Sequence, residues 1–135
     1  MNTPPEQRLR QHPEERFGAD QNVIDILGTL RALRSESTPV RDGHRQITLD
    51  QSGPVTLVLF AFEAGGQLRD HHAAGVVTMH GLEGKLHVST EAREYELSPN
   101  KLVVLAPNIS HSVLAETAGA LLLTVCLVPD TRPEG

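Results

Sequence analysis

The chain has 135 residues, with 17 acidic against 12 basic side chains and a formal net charge of −5. That length suits one domain with a sizeable core, and an acidic balance without any run of Lys or Arg argues against a nucleic-acid surface, where basic residues supply most of the affinity. Three Phe, one Tyr and no Trp leave too few rings for a platform that stacks sugars or bases.

Residues 1–16, with Pro4, Pro5 and Pro13 among Glu6, Glu14 and Glu15, read as a poorly ordered arm, and His12 within it carries no site signal. No charged-then-apolar leader pattern opens the sequence and no stretch reaches the roughly 18 apolar residues of a membrane span, so a cytoplasmic protein is expected. Residues 17–43 make a helix and linker. Val23, Ile24, Leu27, Leu30 and Leu33 recur at helical spacing behind Asp20 as a cap, which predicts a helix over about 20–35 that tolerates Gly28 at some cost.

After Pro39 the rhythm becomes that of short strands separated by turn residues, over a unit spanning 44–128 with a tail at 129–135. Strands are expected at Gln46 to Leu49, Val55 to Phe62, Val76 to Leu82, Lys85 to Ser89, Glu94 to Leu97, Leu102 to Ala106, Ser112 to Ala115 and Ala120 to Val128. This spacing predicts an all-β antiparallel barrel or sandwich. Cys126, the one cysteine, sits in the apolar run Leu121 to Val128; it has no internal disulfide partner and reads as a core residue. The helical stripe lies outside the barrel and needs cover, which predicts a symmetric homodimer through residues 20–35 and an outer sheet.

Two segments carry a resemblance. The run Asn100, Lys101 to Leu105, Ala106, Pro107, Asn108, Ile109, Ser110, His111 and Ala115 is similar to the second motif of the cupin superfamily of small β-barrels (Gly, five residues, Pro, one residue, Gly, two residues, His and a later Asn). Both glycine positions hold Asn, the other residue that readily takes left-handed φ in a turn, and Pro107 is displaced by one. The first cupin motif (Gly, His-x-His, Glu, Gly) resembles the segment from Gly65 and Gly66 to Gly84. It puts Asp70 at the first His, His72 at the second and Val77 where the Glu would stand. The phrases Gly43 to Leu49 and Val76 to His80 look like a subgroup of small bacterial cupins of unassigned activity. The resemblance implies a cupin jelly roll with one N-terminal helix, and it covers residues 44 to 128.

It also implies a metal site at His72 and His111. Residues two apart on a strand share a face, so Asp70 is expected to join His72 while His71 points away, giving a two-His, one-carboxylate set that leaves open positions on a non-haem iron. The alternative is that Asp70 caps or pairs near Arg69 and the histidines are ordinary pocket polar groups. His80 shares a face with Val76, Thr78 and Leu82, so strict alternation turns it away from the pocket unless a bulge near Gly75 or Gly81 reverses it; it is kept as a further candidate ligand. His44 could line a barrel mouth, and His87 should face outward. Val55, Leu57, Leu59 and Ala61, with Val77, Met79, Leu102 and Val104, are expected to wall a narrow apolar pocket. Ser110 lacks a nucleophile elbow, and Gly65-Gly66 lacks the Lys of a phosphate loop.

Two functions follow as expectations. One is a metal-dependent enzyme of dioxygenase or isomerase class acting on a small organic substrate, with Fe, Zn, Ni, Cu or Mn and no nucleotide cofactor. The other is a non-catalytic cupin that binds a small ligand as sensor or carrier.

Overall fold

The computed structural model describes residues 20–128. The arm and tail expected at 1–16 and 129–135 lie outside the described residues. After helix α1 (Ile26–Arg34) come nine strands: β1 (His44–Ser52), β2 (Val55–Phe62), β3 (Gln67–His71), β4 (Gly75–Glu83), β5 (Leu86–Thr90), β6 (Glu94–Leu97), β7 (Leu102–Leu105), β8 (His111–Ala115) and β9 (Gly119–Leu127). Strand β3 falls outside the eight segments delimited by strand composition. It is short, largely exposed and lacks the β-branched residues that mark a strand in sequence.

The strands form two antiparallel sheets, one in the order β1-β2-β9-β4-β7 and the other β3-β8-β5-β6. This is the expected all-β jelly roll. Alternation assigns each side chain to a face. Phe60, Phe62, Val77, Met79, Leu105, Leu121 and Leu123 of the larger sheet meet Leu68, Leu86, Val88, Val113 and Ala115 of the smaller one in the core between the sheets. The outer face of the larger sheet supplies a second cluster, in which Ile47, Leu49, Leu59, Ala61 and Ala120 pack against Leu30 and Leu33 of α1.

Burial corrects four expectations. Leu57, Leu59 and Ala61 belong to the helix side, and the pocket side of β2 is Val58, Phe60 and Phe62. In the sequence Val55 to Phe62 both faces are apolar because one meets the core and the other the helix, so alternation alone could not choose between them. On β7, likewise, Val103 and Leu105 point inward, whereas Leu102 and Val104 are 57% and 61% exposed. Leu30 and Leu33 of the helical stripe are buried against the chain's own sheet, whereas Leu27 stays 56% exposed, so only part of the stripe is left for a dimer through residues 20–35. Cys126 is half-buried on the outer face, in register with Val55 and Val76, and does not belong to the core.

Helix α1 starts at Ile26, later than the sequence suggested, because Asp25 and not Asp20 caps it: the Asp25 carboxylate accepts from the Gly28 N–H at 2.9 Å. Val23, 97% exposed, precedes the helix altogether. A Cβ on Gly28 would collide with the Asp25 carboxylate, so the glycine and the cap are one device. Asn100 and Asn108 have φ of 69° and 66°, the left-handed geometry that their positions implied.

Candidate functional site

Asn108 turns the chain ahead of β8, and its N–H donates to the Ala73 carbonyl at 2.8 Å, which docks this loop against the connection between β3 and β4. His111 opens β8 on its inward face, in step with Val113 and Ala115. It is 3% exposed and is the sole buried polar side chain among the described residues. Its Nδ1 lies 3.1 Å from the Ile109 carbonyl. A carbonyl oxygen only accepts, so Nδ1 carries the hydrogen, and in the neutral form of the ring the lone pair lies on Nε2. No hydrogen-bond partner for Nε2 exists among the described residues.

The facing strand breaks step. Leu68 pairs with Val113 and His71 with His111, so Arg69 and Asp70 together oppose a single residue, Ser112. This shift reverses the expected alternation. His71 turns toward His111, with ring centroids 6.5 Å apart and planes at 32°. Asp70 turns out, exposed, into a separate groove with Gln67, Arg69, Ser89 and Ser112. The partner of Arg69 is Asp42, at 3.5 Å, and not Asp70.

His71, His72 and His111 share one cavity of about 200 Å³. Val58, Phe60, Leu68, Val77, Leu123 and Val125 wall it, and Gln46 joins His71 and His72 at the rim. Burial pushes the His71 imidazole below its ordinary 6.5; proximity to His111 and His44 adds to this, Asp70 opposes it, and His72 contributes last. His71 therefore stands neutral at pH 7. His44 braces the rim from behind: its Nδ1–H donates to the Gln67 carbonyl at 2.8 Å, its Nε2 lies 3.3 Å from the Gln46 side-chain amide, and its ring sits 5.7 Å from both Phe60 and Phe62.

The residues named from sequence thus separate. His72 and His111 come together, Asp70 opens elsewhere, and His80 lies on the face of β4 opposite Val77 and Met79, as alternation predicted. His87 faces outward and bonds Glu116 at 2.9 Å. His71 and Gln46 were missed. Finding His71 required the register shift, which leaves no trace in the sequence, and Gln46 has no motif around it.

These donors do not fit a preformed centre for a dication. Val77, at the position where the resemblance implies a carboxylate, is buried apolar wall, and the cavity has no Asp or Glu in its lining. For a tetrahedral ion such as zinc, two imidazoles at about 2.1 Å bring their ring centres to roughly 5 Å, closer than the 6.5 Å between His71 and His111. Among the described residues no group of three or more His, Cys, Asp or Glu is arranged to hold a metal ion. No described helix is long and apolar enough to cross a membrane.

No family model matches the sequence, and no curated protein matches it. Solved structures do. An RmlC-like cupin from Shewanella frigidimarina superposes with a TM-score of 0.61 at 18% identity, over 68% of this chain and 83% of the other. A cupin superfamily protein from Desulfitobacterium hafniense gives 0.64 at 14% identity, over 84% and 96%. Salicylate 1,2-dioxygenase from Pseudoaminobacter salicylatoxidans gives 0.61 at 20% identity, over 75% of this chain but 30% of that larger one. At these identities the shared property is the fold.

Proposed function

We propose that the chain, a small protein of the cupin fold, binds a small and mostly apolar organic molecule in the barrel cavity, as a sensor or carrier. The observation that supports this is His111: a buried imidazole with one nitrogen tied to the backbone and the other unpartnered, set in a cavity of about 200 Å³ whose walls are apolar and whose other polar side chains, Gln46, His71 and His72, stand at the rim. An unpaired buried polar atom costs roughly 1–3 kcal/mol, and a bound molecule with one polar group removes that cost while burying its apolar body. The pocket has the general form of a small-molecule site, with apolar walls and few convergent polar groups.

The metal-enzyme reading draws support from three imidazoles opening on one cavity and from a dioxygenase among the proteins that share the fold. It has less support in the donor set, which lacks a carboxylate. Two measurements separate the readings. Amide NMR shifts on titration with single-ring organic compounds should concentrate at Phe60, Val77, His111 and Leu123, and a panel that perturbs none of them at millimolar concentration sinks the ligand-binding reading. Elemental analysis of the purified protein should find metal well below one equivalent. Stoichiometric metal that disappears in both His72→Ala and His111→Ala would put the metal enzyme first.

A further inference from the structure

We infer that the pocket selects an uncharged hydroxyl compound of about one ring in size, whose O–H donates to His111 Nε2. This rests on the ligand-binding reading above and adds the polarity of the ligand to it. The Ile109 carbonyl, 3.1 Å from Nδ1, decides the tautomer: with Nδ1 donating, the nitrogen left without a partner is a hydrogen-bond acceptor. An acceptor buried to 3% exposure asks for a donor from whatever occupies the cavity. A hydroxyl supplies one. A carboxylate supplies none and would set its oxygens against the lone pair.

Charge points the same way. The residues lining the cavity include no Lys, Arg, Asp or Glu, so an anionic or cationic ligand would enter an apolar chamber without a counter-charge. Size sets the remaining limit. A dry cavity of about 150 Å³ holds benzene, so about 200 Å³ accommodates one ring with a single small substituent. Gln46, His71 and His72 at the rim leave room for water or a second polar group there, while the body of the molecule meets Phe60, Leu68, Val77 and Leu123.

The test titrates the metal-stripped protein with phenol, anisole and benzoate at about pH 8, above the ordinary imidazole range, and reads affinity by NMR or calorimetry. Anisole keeps the ring and the oxygen but has no hydrogen to donate; benzoate adds the charge. Phenol should bind at least about tenfold more tightly than either, because a site built around one hydrogen bond rejects analogues that cannot make it. In His111→Leu the difference between phenol and anisole should shrink to about twofold or less. Nitrogen-15 spectra of the wild-type ring give a check that needs no variant: they should show a protonated Nδ1 and a bare Nε2. Anisole or benzoate binding as well as phenol, a preference that survives His111→Leu, or the opposite tautomer would overturn the inference while leaving a ligand-binding pocket. Failure of all three probes to bind would overturn the ligand-binding reading, and this inference with it.

Discussion

Replacing His111 by Leu should make the unliganded protein more stable. The wild-type side chain contributes one hydrogen bond, Nδ1 to the Ile109 carbonyl at 3.1 Å, worth a net of about 1 kcal/mol. Against this stands Nε2, buried without a protein partner, at a cost of roughly 1–3 kcal/mol. Ile109 is 41% exposed, so its carbonyl can turn to water once the imidazole is gone. Leucine also fills the site with apolar surface next to Val113 and Leu68, and full burial of such a side chain is worth about 1.5–3 kcal/mol. Even at the lower ends of both ranges the gains exceed the loss by about 1.5 kcal/mol. At about 4 °C per kcal/mol for a domain of this size, that corresponds to a rise in Tm of about 6 °C or more. Urea and thermal unfolding of metal-stripped wild type and variant, followed by circular dichroism at pH 8, measure it directly. A variant destabilised by about 1 kcal/mol or more would mean that His111 is a structural polar group already satisfied in the fold, and the ligand argument built on its spare nitrogen would fall with it.

Three further outcomes follow from the same structure. Leu59, 0% exposed between β2 and α1, should cost about 2–5 kcal/mol when cut to Ala; a change under about 1 kcal/mol would mean that the helix does not pack on the sheet as described. His71 has a folded pKa below its ordinary 6.5, so the unfolded chain takes up the proton first: stability is full above 6.5 and declines as pH falls from there through the lower folded value. His71→Gln should lose less stability than wild type over that window, and equal slopes in the two unfolding series would contradict the assignment. With Leu30 and Leu33 covered, the exposed apolar side chains open to the homodimer proposed from sequence include Leu27 on the helix and Leu102 and Val104 on the edge strand β7. Light scattering at tens of micromolar, a range of order that in which modest interfaces persist, should give a dimer that Val104→Lys makes monomeric. A wild-type monomer removes the proposal.

How much of this was legible before the structure differs by element. The strands with one buried face could be read: Val76 to Gly81 alternates cleanly, and the prediction that His80 points away from Val77 holds because the register shift in this strand falls after it, between Gly81 and Glu83. The Asn residues at 100 and 108 announced their left-handed turns through side-chain chemistry alone. Strand β2 could be located but not oriented, since a strand buried on both faces carries no periodic signal. The site was half visible. His72 and His111 stand out by motif, but which of Asp70 and His71 faces the cavity depends on how β3 pairs with β8, a long-range choice that no local pattern encodes.

That register shift gives the rim an unusual sensitivity to insertion and deletion. Arg69 and Asp70 share the space opposite Ser112, and this alone turns His71 rather than Asp70 toward His111. A homologue with regular pairing through the same segment would present a carboxylate beside that imidazole with every side chain unchanged. Relatives that differ by one residue of length near the short connection between His71 and Gly75 could therefore carry a carboxylate in the pocket in place of a neutral imidazole while aligning almost perfectly over their cores. In such a lineage, gap placement in β3 would sort ligand chemistry better than sequence identity does.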